Sequence, residues 1–231
     1  MAAPVPVVTI DGPSGSGKGT LCQMLARTLG WHLLDSGALY RIVGLAAEKK
    51  GVDFENSAVL AQLAANLDVE FLPGQPGEPA AVKLEGVDIS VELRAETSGE
   101  LASKVAVHQP VRDALKSLQR SFAKAPGLVA DGRDMGTQIF PDAPVKIFLT
   151  ASAAERAERR YKQLIAKGES VNLAALLEDI QQRDARDTNR AAAPLRPAHD
   201  ARVIDTTGVS IDDVFQQVFS AVVQAGLNTS S

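Results

Sequence analysis

A strand, a glycine-rich loop and a helix follow one another at the start of the chain, and this unit constrains the fold more than any other feature. The apolar run VPVVTI (5–10) predicts a strand buried on both faces, and KGTLCQMLARTLG (18–30) predicts a helix that Gly30 ends. Between them, DGPSGSGKGT (11–20) can aim backbone N–H groups and the positive end of the helix at one point, which is how proteins bind phosphates. Because strand, spacing and helix agree, the loop predicts nucleotide triphosphate binding rather than an ordinary surface turn.

The loop departs from the standard pattern G-x-x-x-x-G-K-[Ser/Thr] at its last position. Gly12, Gly17 and Lys18 are in register, but Gly19 stands where the pattern has a hydroxyl, and Thr20 brings one a position later. Lys18 would add a full positive charge to the phosphate site. The candidate residues for binding the triphosphate are Gly12, Pro13, Ser14, Gly15, Ser16, Gly17, Lys18, Gly19 and Thr20.

Further apolar runs alternate with helical stretches along the chain. The strand candidates are HLLDSG (32–37), GLVADG (127–132), VKIFLT (145–150) and ARVID (201–205). The helix candidates are ALYRIVGLAAEKK (38–50), AERAERRYKQLIAK (154–167), LAALLEDIQQRDARD (173–187) and SIDDVFQQVFSAVV (210–223). Ser152 and Glu155 form a capping-box pattern before the second of these helices, and Gly168 can end it. The alternation predicts an α/β protein, a parallel five-stranded sheet of the P-loop NTPase type with helices on both faces.

One region breaks the alternation. From Leu67 to Val91, apolar and polar residues alternate and proline and glycine punctuate the sequence. This pattern favours a small antiparallel β insert, and an unstructured Pro/Gly loop is the alternative.

Composition narrows the functional classes. The formal net charge of −4 argues against a general nucleic-acid-binding protein, which would need a basic face. No apolar run is long enough to span a membrane, and the single cysteine, Cys22, cannot form an internal disulfide. We therefore expect a buried thiol and a cytoplasmic protein. The three histidines, His32, His108 and His199, show no ligand spacing and predict no metal site.

A triphosphate-binding loop serves many reactions, so the rest of the chain must distinguish a small-molecule kinase from a GTP-dependent switch. A switch of the familiar type carries a guanine-reading N-K-x-D segment, which this sequence lacks. A kinase needs a second anion site for its acceptor, and Arg183, Asp187 and Arg190 are spaced to share one helical face. An ion-paired, solvated face is the alternative, but lysine would serve there and is absent from residues 168–231. Arginine is the side chain suited to bidentate phosphate contact.

Four segments resemble the bacterial cytidylate kinases: DGPSGSGKGT (11–20), LLDSGALYR (33–41), ADGRDMGTQIFPDAPVKIFL (130–149) and RDARDTNRAAAPL (183–195). The resemblance runs over essentially the whole chain, and it identifies Gly19 before Thr20 as the loop form of nucleoside monophosphate kinases. It implies phosphoryl transfer from ATP to CMP or dCMP, with Mg²⁺ held largely by phosphate oxygens and water. We expect a monomer that acts on these small molecules, with no nucleic-acid or membrane partner.

The resemblance also implies roles for residues. Lys18, Arg133 and Arg190 are the expected catalytic residues. The expected CMP site comprises Ser36, Arg41, Ser103, Arg112, Arg133, Asp134, Arg183, Asp187 and Arg190. Arg156, Arg159 and Arg160 are expected in a short lid over ATP, next to the loop residues 12–20. The chain then divides into a core (1–36, 104–152 and 191–231), monophosphate-binding helices with the β insert (37–103), and the lid with the arginine-rich helices (153–190).

Several residues keep alternative interpretations. Asp131 ends an apolar run and could approach Mg²⁺ through water, cap a helix or hydrogen-bond to the loop. Ser36 could also cap the helix that begins near Gly37, and Asp134 could form an exposed turn pair with Arg133. Trp31 and Tyr40 are expected to pack rather than to stack on a base.

Overall fold

The computed structural model describes residues 4–74, 80–191 and 193–227. Its strands are β1 Val7–Asp11, β2 His32–Asp35, β3 Val69–Leu72, β4 Ala81–Leu84, β5 Val87–Asp88, β6 Leu128–Gly132, β7 Val145–Thr150 and β8 Arg202–Asp205. Its helices are α1 Lys18–Leu29, α2 Ser36–Lys49, α3 Ser57–Ala65, α4 Ser90–Leu93, α5 Glu96–Val105, α6 Gln109–Ser121, α7 Ala153–Ala166, α8 Leu173–Asn189 and α9 Ile211–Gln224. A π-helical turn spans Met135–Ile139.

A five-stranded parallel sheet forms the centre of the fold, in the order β2-β6-β1-β7-β8. Strand β1 lies in the middle, and every residue from Val7 to Asp11 is buried, as its β-branched run predicts. The register places Asp131 of β6 beside both Ile10 of β1 and Asp35 of β2. The carboxyl ends of these three strands therefore meet at one edge, where open α/β sheets bind ligands. The predicted fold class is confirmed.

Helices cover both faces of this sheet. On one face, α1 and α9 pack through Leu21, Leu25, Val214 and Val218, all at most 1% exposed. On the other face, α2, α3, α5 and α6 form a larger apolar cluster around Leu39, Val43, Leu60, Val105 and Leu115. Cys22 of α1 is fully buried, as expected for a packing residue. In the described ranges, no helix combines the length and the apolar character that a membrane crossing requires.

The ends of α1 and α7 follow the predicted signals with one exception. Gly30 ends α1 in the left-handed conformation (φ 65°), and Gly168 follows α7 in the same conformation (φ 81°). Ser152 caps α7, because its Oγ accepts from the backbone N–H of Glu155 over 3.1 Å. The reciprocal half of the predicted capping box is wrong: the backbone N–H of Ser152 donates to Thr207 Oγ1, and the Glu155 carboxylate accepts from Arg159 instead.

The region from Leu67 to Val91 forms the predicted antiparallel insert. Strands β3, β4 and β5 pair in sequence order, with Phe71 opposite Val82. Phe71 packs on Phe122 at the end of α6, with ring centroids 5.4 Å apart. The insert therefore forms its own sheet, packs on the helical layer at the end of α6, and also contacts β2 of the central sheet through β3. The Pro/Gly-rich stretch 75–79 lies outside the described residues.

Candidate active site

The loop between β1 and α1 has a backbone that only glycine can supply at two points. At Gly12 (φ 148°), an added Cβ would lie 2.2 Å from the backbone oxygen of Leu149 on β7. Gly17, at the N-terminal end of α1, is left-handed, with φ 92°. The loop therefore lies tightly against the sheet and turns directly into the helix, with the first N–H groups of α1 facing the carboxyl edge.

Lys18 is held inside this loop. Its Nζ donates to the carbonyl oxygen of Pro13 over 2.7 Å and lies 3.5 Å from Ser16 Oγ. The residue is only 7% exposed, and burial lowers the pKa of Lys18 although the neighbouring Asp131 carboxylate opposes that shift. The loop thus carries a desolvated cation, which attracts an anion more strongly than an exposed lysine would.

Gly19, the position after Lys18, lies beside the Asp131 carboxylate. A Cβ added to Gly19 would lie 3.6 Å from Asp131 Oδ2, so a side chain at this position would point at a carboxylate. Asp131 lies within β6 and caps no helix in the described ranges, so its interpretation as a helix cap is wrong. Burial raises the pKa of Asp131 to about 7, with Lys18 opposing and Asp35 adding to the shift.

Asp11, at the end of β1, supports the site from outside the cavity lining and was not identified from the sequence. Its two carboxylate oxygens accept from the backbone N–H groups of Met135 and Gly136, each over 2.8 Å. These bonds fix the π-helical turn that directly follows Arg133 and Asp134. The only signal available in the sequence was an acidic residue between an apolar strand and the loop, which does not identify its partners.

One cavity of about 340 Å³ joins the loop to the predicted CMP site. All of the residues predicted for CMP line it: Ser36, Arg41, Ser103, Arg112, Arg133, Asp134, Arg183, Asp187 and Arg190. Of those predicted for ATP, the cavity is lined by Ser14, Gly15, Gly17, Lys18, Gly19, Thr20, Arg159 and Arg160, whereas Gly12, Pro13, Ser16 and Arg156 do not line it. Residues from distant parts of the chain therefore converge on one space beside Lys18.

Several arginines line the cavity together with Lys18. Arg133 forms an ion pair with Asp187 through its Nε. Burial alone would raise the pKa of Asp187, but Arg133, Arg183 and Arg190 together hold it below its usual range. Burial and the neighbouring Arg133 lower the pKa of Arg183 to about 9, and burial with Arg112 lowers that of Arg190.

Two of these guanidinium groups have donors without partners. Arg183 Nε and Arg190 Nη2 are buried and make no hydrogen bond to any described residue. Buried donors are nearly always paired in folded proteins, so unpaired charged donors that adjoin a cavity indicate a ligand that accepts hydrogen bonds. Together with the lowered pKa values, they indicate a site built for an anion.

We predict that Arg183→Gln raises the melting temperature of the ligand-free protein. A lowered arginine pKa means that the charged form is less stable in the folded chain than in the unfolded chain, and at neutral pH, below both values, this penalty is fully present. Removing the charge should stabilise the fold by about 1 kcal/mol, or about 2–4 °C in Tm. Thermal unfolding measures this shift.

The matched control for this variant is Arg186→Gln, because Arg186 is exposed on the same helix. It should change Tm by less than about 2 °C. A lower Tm for Arg183→Gln than for the wild type would show that Arg183 stabilises the fold as an ion-pair partner of Asp187, contrary to the assignment of an anion site.

A second group of residues lies deeper, between α2 and α6. Arg112 forms a buried ion pair with Asp134, and its guanidinium lies 5.7 Å from the centre of the Tyr40 ring. Asp134 is only 4% exposed, so its interpretation as an exposed turn pair with Arg133 is wrong. Tyr40 and Trp31 are both buried, as expected, although Tyr40 also lines the cavity.

Ser36 does not cap α2. Asp35 is the capping residue, because its Oδ1 accepts from the backbone N–H of Ala38 over 3.0 Å. The Ser36 hydroxyl instead donates to Gln119 Oε1 of α6 over 2.7 Å. The interpretation of Ser36 as a cap is therefore wrong, and its side chain is available to the cavity.

The three predicted lid arginines differ in their surroundings. Arg159 pairs with Glu155 and donates to both the hydroxyl and the carbonyl of Thr206, while it also lines the cavity. Arg156 lies apart from the cavity lining and is 3% exposed; its guanidinium donates to the carbonyl of Ser14 over 3.0 Å and pairs with Asp184 of α8. Arg156 thus ties the phosphate-binding loop to the helix that carries Arg183 and Asp187.

Comparison with known proteins identifies the family to which the chain belongs. The sequence model of the cytidylate kinase family matches residues 8–224. A protein named cytidylate kinase from Stutzerimonas stutzeri is 57% identical over 227 residues, which cover 98% of this chain and 99% of that protein. Another from Photobacterium profundum is 59% identical over 225 residues, which cover 97% of this chain and 98% of that protein.

Among solved structures, an uncharacterized protein from Eubacterium ventriosum is similar with a TM-score of 0.53 and 12% identity, over 95% of this chain and 98% of that chain. At this identity the likeness concerns the fold alone. It agrees with the α/β architecture described above.

Proposed function

The chain belongs to the cytidylate kinase family, and we propose that it transfers the γ-phosphoryl group of ATP to CMP or dCMP, giving CDP or dCDP. The observation that carries the proposal is a cavity lined both by Lys18 of the loop and by Arg133, Arg183 and Arg190. A kinase that joins two anions needs cations on both sides of the transferred group. The cavity supplies them within one chain, so we further propose that the monomer is active on free nucleotides in the cytoplasm.

We propose that the donor lies along the loop and α1. The N–H groups of the loop and Lys18 would hold the β- and γ-phosphates, and Arg159 and Arg160 would contact the same phosphates from α7. Arg156 is bound to Ser14 and Asp184, so we propose that it acts on ATP indirectly, by holding the loop against α8.

We propose that the acceptor lies between α2, α6 and α8. Arg41, Arg133 and Arg190 would grip the CMP phosphate, and Arg183 with Asp187 would contact the ribose. The cytosine would lie among Ser36, Ser103, Arg112 and Asp134, the deeper part of the cavity. Two chemical observations support this placement. The unpaired donors of Arg183 and Arg190 can bind phosphate oxygens, and the buried Asp134 carboxylate can accept a hydrogen bond from the exocyclic amine of cytosine.

The reaction requires neutralisation of the negative charges on the two phosphate groups rather than proton transfer. The attacking oxygen of CMP belongs to a phosphate that is mostly ionised at neutral pH, since its second pKa is about 6. No general base is therefore required. The difficulty is the approach of two anions, which Lys18, Arg133 and Arg190 offset from fixed positions. Because these positions are fixed before the substrates bind, little reorganisation is needed during transfer.

The site suits a Mg²⁺ ion that is bound by one or two carboxylates and by the phosphates of the substrate, rather than by a full set of protein ligands. Asp35 and Asp131 lie side by side on adjacent strands and both line the cavity. No cluster of three or more candidate metal ligands occurs in the described part of the chain, and Mg²⁺ is usually bound by one or two carboxylates with phosphates and water. We propose that Asp131 holds Mg²⁺ through water. When bound, the ion neutralises charge on the phosphate oxygens.

We predict that Asp187→Asn weakens CMP binding more than ATP binding. The Asp187 carboxylate lies among three arginines and can accept from a ribose hydroxyl, while the loop that holds ATP is separate from it. A hydrogen bond to a charged group contributes about 1.5–3 kcal/mol, so the KM for CMP should rise about tenfold or more, while that for ATP changes less than about threefold. Steady-state kinetics with each substrate varied measure both constants.

Asp179→Asn is the matched control, because Asp179 is exposed on the same helix and should leave both KM values unchanged. If Asp187→Asn raised the two KM values equally, Asp187 would be a structural ion-pair partner of Arg133 and not a ribose contact.

The proposed function is tested by measuring ADP release with ATP, Mg²⁺ and each common nucleoside monophosphate in turn. We expect robust turnover with CMP and dCMP, and a kcat/KM for UMP at least about tenfold lower, since one or two base contacts are each expected to contribute about 1–3 kcal/mol. Equal rates with all monophosphates, or ATP hydrolysis that ignores them, would overturn the proposal.

A further inference from the structure

A buried hydrogen bond joins the cavity wall to a residue behind it. Ser36 of α2 lines the cavity and is 3% exposed, whereas Gln119 of α6 is fully buried and is not part of the lining. The Ser36 hydroxyl donates to Gln119 Oε1 over 2.7 Å. One turn further along α2, Tyr40 lies beneath Arg112 of the same helix α6. The two helices therefore meet in two polar contacts that flank the deeper part of the cavity.

This bond uses the only hydrogen that the Ser36 hydroxyl can donate. A serine hydroxyl has one donor and two acceptor lone pairs. Because the donor is engaged by Gln119, Ser36 can offer only acceptors to the cavity. Gln119 is fully buried, so water does not reach its oxygen, and rotation of the hydroxyl toward the cavity would leave that oxygen unpaired.

Gln119 is an unfavourable residue for packing alone. It lies on the same face of α6 as Val111 and Leu115, which are fully buried in the apolar cluster. Its amide nitrogen is buried and makes no hydrogen bond of ordinary geometry to any residue in the ranges that the structure describes, although the Gln119 side chain lies close enough to the Tyr40 hydroxyl to oppose the rise that burial causes in the pKa of Tyr40. An apolar side chain of the same size would avoid this unpaired donor, so the amide is better explained by what its oxygen does to Ser36.

We infer that Gln119 is a specificity-determining positioning residue, which holds the Ser36 hydroxyl as an acceptor and so selects a base with an exocyclic amine. The inference rests on the proposed function, which places cytosine beside Ser36. The amine of cytosine donates a hydrogen bond, whereas uracil has a carbonyl oxygen at the same place. The carbonyl oxygen of uracil would either face the lone pairs of the Ser36 hydroxyl and stay unpaired, or accept the hydroxyl hydrogen and leave Gln119 Oε1 unpaired.

The test compares the ratio of kcat/KM for CMP to that for UMP in the wild type and in Gln119→Met. Methionine matches glutamine in length and its thioether is only a weak acceptor, so the Ser36 hydroxyl is released to donate into the cavity. We expect the ratio to fall about tenfold, with the value for UMP unchanged or higher, as one hydrogen-bonded contact predicts. A purely structural role would lower both values together and leave the ratio as it was. Gln217→Met, at an exposed position of α9, is the matched control.

A double-mutant cycle tests whether the effect of Gln119 on the CMP/UMP ratio depends on the Ser36 hydroxyl. In a Ser36→Ala background, Gln119→Met should leave the ratio unchanged, because the hydroxyl that it acts on is gone. An equal fall of the ratio in both backgrounds would show that Gln119 acts through another group and would overturn the inference. So would a wild-type ratio in the single variant Gln119→Met.

A measurement on the wild type keeps the inference testable if Gln119→Met does not fold. The monophosphate of pyrimidin-2-one riboside lacks the exocyclic group altogether, so it neither donates to Ser36 nor opposes its lone pairs. We expect its kcat/KM to lie between those of CMP and UMP, and a value at or below that of UMP would overturn the inference. Absence of CMP turnover in the wild type would instead overturn the proposed function itself, so the two failures are distinguishable.

Discussion

Replacing Lys18 by methionine should lower kcat/KM for phosphoryl transfer by at least about 100-fold, because one electrostatic contact to the transferred group contributes about 3 kcal/mol or more. Lys18 is buried in the loop, and its charge acts in a space from which water is largely excluded. The fold should survive the change. Methionine fills a similar volume, and the carbonyl of Pro13 keeps a second donor, Ser16 Oγ, at 3.0 Å.

The measurement is kcat/KM for ATP and CMP, with thermal unfolding to establish that the variant is folded. Lys49→Met is the matched control, because Lys49 is exposed on α2 and its ion pair with Glu92 lies at the surface. It should retain wild-type activity. Activity within about threefold of wild type in a folded Lys18→Met protein would contradict the assignment of the loop as the site of the transferred phosphate.

Replacing Arg190 by methionine should lower kcat/KM by about 10²–10³-fold, the effect of removing one preorganised donor to developing charge. Arg190 is the C-cap residue of α8, and its Nε donates to the carbonyl of Ala193 over 2.6 Å. This bond fixes the side chain, while Nη2 stays buried without a partner among the described residues. The free donor is therefore already in place for a phosphate oxygen.

Arg190→Lys separates charge from geometry. It keeps the positive charge but cannot form the planar fork, so we expect it to recover only part of the lost activity. Arg202→Met, at an exposed position of β8, is the matched control and should retain wild-type kinetics. Equal activity for Arg190→Met and this control would show that Arg190 acts only as the C-cap residue of α8 and takes no part in phosphoryl transfer.

Local patterns in the sequence predict much of this architecture. The five central strands are recognisable as short apolar runs, and the ends of α1 and α7 as glycine signals, because both depend on residues that are close in sequence. The spacing of Arg183, Asp187 and Arg190 likewise places them on one helical face. The resemblance to cytidylate kinases, carried by four short segments, is confirmed by the family match over residues 8–224.

The partners of the site residues could not be predicted in this way. Arg112 meets Asp134 and Arg133 meets Asp187 across 22 and 54 positions, and Ser36 meets Gln119 across 83. Such pairs exist only once the sheet has brought α2, α6 and α8 to its carboxyl edge. Ser36 is engaged in such a long-range pair, and Asp35 caps α2 instead through a local bond to Ala38.

Arg156 shows the same limit at the loop. The resemblance to cytidylate kinases placed it in the lid with Arg159 and Arg160, but the burial of its guanidinium against Ser14 and Asp184 depends on how α7 and α8 pack. Spacing identifies which residues share a face, whereas tertiary packing decides which of them reach the cavity.

The central claim is that one cavity carries a phosphoryl group from ATP to CMP without releasing it to water. The most direct measurement is the product balance, obtained by incubating the enzyme with ATP, Mg²⁺ and CMP and quantifying nucleotides by chromatography and free phosphate by a colorimetric assay. We predict that ADP and CDP form in equal amounts, with negligible inorganic phosphate. ADP formed with an equal amount of inorganic phosphate, and without CDP, would contradict the account.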